Sequence, residues 1–265
     1  MRKVLPVVAI LLAGCASGEP APAPRPSPTS RQITSTLVYY LVDRPTGLRL
    51  AREPRAVQHV AGRDAVEAMI AGPNDPDYSS PWNPKTVVRS IDTEGSLVTV
   101  DLDSAARTAT VGSAGAELMV QQLVYTVTEA LGPRLKVRLL IDGSSPGELW
   151  GAVTWDEPVG RAAADDVRQV VQIDTPGDGA KMRSPVRVSG EANAFEANVP
   201  WRVLDDDGQV VKTGHTSTAE GFAFSKYAFD VALKSGSYSI EIVEDNPSAG
   251  ARQLTRDTRQ VTVLR

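Results

Sequence analysis

"SAGAELMVQQLVYTVTEALGP", residues 113–133, decides the fold class of the first half of this 265-residue chain. Ala116, Val120, Leu123, Val124, Val127 and Leu131 recur at helical spacing, while Glu117, Gln121, Gln122 and Glu129 take the other faces. Ser113 is placed to cap the helix, and Gly132-Pro133 stops it. A helix with one apolar stripe needs a partner layer to cover it.

That layer is found on both sides of the helix in the sequence. Residues 33–42 are β-branched and aromatic, and residues 48–60 continue as one or two extended pieces. Residues 87–92 and 97–102 read as a hairpin, and 135–141 as a further strand. Ala65, Val66, Met69 and Ile70 mark a second, shorter helix over 62–71, ended by Gly72-Pro73. Residues 33–156 therefore predict an α+β domain, two helices on a small mixed sheet. The irregular loop 74–84, with three prolines, is a candidate functional surface.

Past residue 170 the helical period disappears. "VVQIDTP", "SPVRVSGEANA", "VPWRVLDDDGQVVKTG", "FAFSKYAFDVAL", "GSYSIEIVED" and "RQVTVLR" are short strand-like runs divided by turn residues. Roughly seven such strands fit an all-β immunoglobulin-like sandwich over 170–265, and Asp207-Gly208 marks a hairpin inside it. Polar residues 157–169 form the expected linker, so the two domains are expected to fold independently.

The other end of the chain speaks to location. Met1-Arg2-Lys3 is basic and 4–12 is apolar apart from Pro6. That run is far below the roughly 20 residues a membrane span requires, and it has signal-peptide length. "Leu12-Ala13-Gly14-Cys15" resembles the lipobox of bacterial lipoproteins, which implies a signal peptide over 1–14 and acylation of Cys15. Stable anchoring takes more than one acyl chain, as such a cysteine carries. Residues 15–32 are a Pro/Ala/Ser-rich tether. The expected localisation is the extracytoplasmic face of the cell membrane, held there by lipid.

Cys15 is the only cysteine, so the body has no disulfide, cysteine-type zinc site or thiol nucleophile. The net charge of −4 falls to −6 when Arg2 and Lys3 leave with the signal, which disfavours nucleic acid as a partner.

Candidate chemistry is sparse. "Gly143-Ser144-Ser145-Pro146-Gly147" has the letters of a nucleophile elbow, but Pro146 lacks the N–H that an oxyanion hole needs. "Asp205-Asp206-Asp207-Gly208" fails as a calcium loop: Val203 and Gly214 stand where the first and twelfth ligands belong. His59 and His215 lie in different domains without His or Cys neighbours. No catalytic residue, cofactor or metal is therefore expected.

"Phe195-Glu196-Ala197-Asn198-Val199-Pro200-Trp201" is the most distinctive stretch of the sandwich. Glu196 and Asn198 are candidate surface contacts. Trp201 alternates with Val199 and Val203, which points it into the core; as an exposed ring it would instead stack on a sugar.

"LVYYLV", "AVEAMIAGP", "VTVDL", "ELMVQQLVYTVTEAL" and "VRLLIDG", in this order, resemble the GerMN domain of spore germination and sporulation proteins. "VQIDTPGDGAKMRSPVRVSGEANAFEANVPWRVLDDDG", with "FDVAL", "GSYSIEI" and "DTRQVTV", resembles the Gmad-type Ig-like domain of bacterial spore germination. The pair implies a GerMN fold, a β-sandwich and an extracytoplasmic envelope role; with no credible catalytic motif, a non-enzymatic role in binding or scaffolding is expected. An envelope protein or cell-wall glycan is the expected partner; a glycan-binding lipoprotein is the alternative, and a cell-wall hydrolase a weaker one.

Overall fold

In the computed structural model, residues 34–57, 61–109, 111–246, 250 and 253–265 are described. Cys15, the signal and tether, and His59 lie outside them. Strands β1 (Thr34–Arg44) and β2 (Gly47–Val57) form one antiparallel ladder, paired from Thr34–Val57 to Arg44–Gly47. The extended run expected from residue 48 is thus a single strand. β1 is buried on both faces. Val38, Tyr40 and Val42 enter the main core, while Tyr39 and Leu41 join Leu50, Leu118 and Tyr125 in a second cluster.

Helix α1 (Ala61–Ala71) precedes a short strand, β3 (Tyr78–Ser79), that pairs with β1 inside the proline-rich loop. Strands β4 (Val88–Glu94) and β5 (Leu97–Leu102) make the expected hairpin, and β6 (Lys136–Ile141) adds parallel to β5. The mixed sheet β4-β5-β6 is therefore separate from the antiparallel sheet β2-β1-β3. Strands β7 (Glu148–Leu149) and β8 (Val153–Thr154) form a minimal ladder beyond it.

Helix α2 (Ser113–Leu131) packs on α1 and on strands of both larger sheets. Its N-cap is Gly112 rather than Ser113, and no side chain caps it. Gln122, assigned by spacing to an outer face, is fully buried. Its Nε2 donates to Tyr39 O at 3.0 Å, and Tyr39 N donates to Thr126 Oγ1 at 3.1 Å. Polar side chains of α2 thus satisfy the backbone of β1 where no strand does, which keeps buried peptide groups from going unpaired.

The segment expected as a linker is sewn onto this domain. Val159 and Val137 exchange backbone hydrogen bonds of 2.8 and 2.9 Å. Tyr125 OH donates to Ala162 O, Arg161 pairs with Glu129, and α3 (Ala164–Val167) follows.

The second half is all strand. β9 (Val171–Thr175), β11 (Val186–Asn193) and β14 (Phe224–Val231) make a three-stranded sheet in the order β14-β11-β9. β10 (Ala180–Arg183), β12 (Asn198–Asp205), β13 (Val210–Ser217), β15 (Gly236–Val243) and β16 (Arg256–Leu264) make the facing sheet, ordered β10-β16-β15-β12-β13. Val188, Val199, Val203, Ile173, Ile240 and Val261 are among the side chains buried between them.

A buried charge network joins the halves. Arg52 on β2 grips Asp174 on β9 through two hydrogen bonds of 2.9 and 2.8 Å and pairs with Glu191 at 3.1 Å. Arg259 on β16 is 1% exposed; it pairs with Asp75 at 2.7 Å and donates to Tyr78 OH at 2.8 Å and Ile173 O at 2.7 Å. Asp257 accepts from Tyr78 OH, Ile173 N, Arg44 and Arg259. Burial pushes the Asp75 carboxyl up to about 6 against the opposing pull of Arg259.

Candidate binding surface

Two loops meet at one end of the sandwich. Residues 194–197 join β11 to β12, and residues 218–223 join β13 to β14. Phe222 N donates to Ala194 O at 3.1 Å, and Thr218 N donates to Ala197 O at 3.0 Å. A Cβ on Gly221 would lie 3.1 Å from Ala197 N, so glycine is what lets the two backbones approach this closely.

The crossing is held in sparsely populated backbone. Glu196, Ala197 and Phe222 have φ of 50°, 61° and 60°. Left-handed geometry is uncommon for residues with a Cβ and costs of order 1–3 kcal/mol each, and such outliers cluster at functional sites. Phe222 is also 68% exposed and meets Phe195 edge-to-face, with centroids 5.3 Å apart. Phe222 escaped the sequence analysis because "FAFSKYAFDVAL" alternates like a strand from its first residue; β14 begins only at Phe224. The preceding Gly221 was the available signal of a turn.

Glu196 is exposed beside this pair. Asn198 is half-buried, and its Nδ2 donates to Asp245 Oδ2 at 2.6 Å. Trp201 points between the sheets: its indole stacks on Phe229 at 4.8 Å and 9°, and a Cβ on Gly214 would lie 2.3 Å from its ring. The half-buried indole is thus flanked by protein and packs against the sandwich core.

Residues 29–146 match the family described as "Sporulation and spore germination", and residues 170–251 match "Immunoglobulin-like domain of bacterial spore germination". The chain carries one domain of each kind. Among solved structures, the tandem GerMN domains of the sporulation protein GerM from Bacillus subtilis are 17% identical. That match has a TM-score of 0.44 and covers 54% of this chain and 50% of that one. This chain therefore spans about half the length of the tandem GerMN structure. A putative lipoprotein from Clostridium perfringens is 15% identical, with a TM-score of 0.36 over 52% of this chain and 93% of that one. No curated protein matches the sequence.

The other motifs are local structure in these two domains. In the GerMN-type domain, Gly143 and Gly147 are left-handed turn residues, and Ser145 Oγ donates to Asp156 Oδ1 at 2.8 Å. In the Ig-like domain, Asp205 Oδ1 accepts from the backbone N–H groups of Asp207 and Gln209, so the acidic run closes the β12–β13 hairpin. His215 is exposed on β13. Among the described residues, no cluster of three or more His, Cys, Asp or Glu is placed to hold a metal ion, and no helix is long and apolar enough to cross a membrane.

Proposed function

We propose that this chain is a lipid-anchored, extracytoplasmic protein of a bacterial envelope that binds or organises other envelope components without catalysis. The supporting observation is Phe222, a large apolar side chain held in solvent on a costly backbone by a crossing of two loops. A side chain kept exposed at such expense is a contact residue. The N-terminal Cys15 supports the anchor, and both domain types support a setting among sporulation and germination proteins.

Anchoring is tested at Cys15. Cys15→Ser is expected to lose acyl labelling and either leave the membrane fraction or remain unprocessed. Unchanged labelling and membrane retention would remove the anchor from the proposal.

The contact loop is tested separately. Phe222→Asn keeps a residue that tolerates left-handed backbone, and Glu196→Ala alters an exposed side chain. Stability should stay within about 0.5 kcal/mol for Glu196→Ala, and Phe222→Asn should melt no lower than the parent. Binding to envelope extracts, measured by cross-linking, should fall in both. Undiminished cross-linking in both variants would exclude the loop pair.

A further inference from the structure

Where the two domains meet, a cavity of about 270 Å³ opens beside the Arg52–Glu191 pair of the charge network, apart from the loop pair. Its floor is Tyr39, Arg52 and Arg168, all buried; Glu129, Arg161 and Glu191 form the walls, and Pro133 stands exposed at the mouth. Its volume sits just below the ~300–1,000 Å³ of small-molecule sites, which occur preferentially at domain boundaries. The space suits one ring rather than a chain.

The lining is rigid and polar. Arg161 donates from Nε to Thr128 Oγ1 at 2.7 Å and from Nη2 to Glu129 Oε2 at 2.8 Å, with its guanidinium 4.6 Å over the Tyr125 ring. Arg168 donates to Glu191 Oε2 at 2.7 Å and lies 4.1 Å over Phe224. Its Nε is buried without a partner among the described residues. Glu129 and Glu191 bind their arginines through Oε2, leaving Oε1 of each to accept.

Charge decides between ligand classes. Arg52, Arg161 and Arg168 are already matched by Asp174, Glu129 and Glu191 at 2.7–3.1 Å. A phosphate or carboxylate would have to displace these carboxylates. A neutral ligand rich in hydroxyls would not: each hydroxyl both donates and accepts, and so bridges arginine to glutamate without disturbing either. We propose that this interdomain cleft is a subsite for one neutral sugar ring of a glycan. That the glycan belongs to the envelope rests on the extracytoplasmic reading above; the sugar chemistry does not.

The full chain in detergent is titrated with chitotetraose, maltotetraose and inorganic phosphate, with binding followed by calorimetry. Saturable binding of one oligosaccharide is expected, weakened at least tenfold by Glu129→Ala and by Pro133→Trp, which fills the mouth from an exposed position. Unchanged melting of Pro133→Trp separates blockage from unfolding. Absence of binding by both oligosaccharides would overturn the proposal, as would oligosaccharide binding indifferent to both variants. Phosphate binding lost in the same variants would also overturn it and make the cleft an anion site. Failure of the anchor would appear only in the Cys15→Ser fractionation and would leave these titrations unaffected.

Discussion

Arg259→Met is expected to destabilise the body by about 3–5 kcal/mol, the usual cost of removing one partner from a buried ion pair. The guanidinium is 1% exposed and stands between two carboxylates, Asp75 at 2.7 Å and Asp257 at 3.3 Å. Methionine fills similar space and leaves both acids in the interior; Asp257 then keeps Arg44, 3.3 Å away, and Asp75 keeps no comparable base. The loss should appear as one unfolding transition, because Asp75 and Tyr78 come from the GerMN-type domain and Asp257, Arg259 and Ile173 from the Ig-like one.

A pH dependence follows from the same contact. Burial already holds Asp75 at about 6, above its ordinary value of 3.8, so the folded state binds this proton more tightly than the unfolded chain. Stability linked to Asp75 is therefore gained as pH falls through that window. Without Arg259 nothing comparable opposes burial and the acid rises further, so the variant should gain more on acidification than the parent. Chemical denaturation at pH 8 and pH 5 is expected to show a smaller gap between the two proteins at pH 5. Two resolved transitions in the parent protein, one for each domain, would contradict the lock.

The buried contacts between the two domains were not foreseen from the sequence, for a physical reason. Aspartate and arginine are usually exposed, so Asp75, Asp257 and Arg259 read as surface residues. Tyr78 and Arg259 meet across 181 positions, and nothing periodic announces such a contact. Helix α2 was legible because its stripe is local: Val120, Leu123, Val124 and Val127 face the core as their spacing predicts. The same spacing misplaced Gln122, since a helix buried on several faces takes polar residues inward wherever a strand's backbone needs partners. The loop pair was half legible. Glu196 and Asn198 drew notice through an irregular stretch, while Phe222 lay hidden in apparent alternation. The interdomain cleft was not legible at all, for its walls come from α2, the packed segment after β8, and β11.

The second large effect is expected at Gly190. It sits in the middle of β11, opposite Ile173 on β9 and Tyr227 on β14, where the β9 register shifts. A Cβ there would stand 1.9 Å from Gln172 O and 2.7 Å from Tyr227 OH. Those two atoms are hydrogen-bonded to each other at 2.7 Å, directly above the glycine. Gly190→Ala must therefore push strand β9 away and break that bond. Overpacking costs roughly 1–3 kcal/mol and an unsatisfied buried group roughly 1–3 more, so about 2–6 kcal/mol is expected in total. The damage should reach the domain lock, because Gln172 Nε2 donates to Arg52 O and Ile173 N to Asp257. A double-mutant cycle with Tyr227→Phe separates the two contributions. Tyr227→Phe alone should cost about 1–3 kcal/mol, because it removes the donor and leaves Gln172 O buried. In that background Gly190→Ala should cost less than in the parent, yet still more than 1 kcal/mol, because Gln172 O remains in the way. A Gly190→Ala variant within about 0.5 kcal/mol of the parent would show that β9 yields freely there, and that the lock does not depend on how β9 is seated.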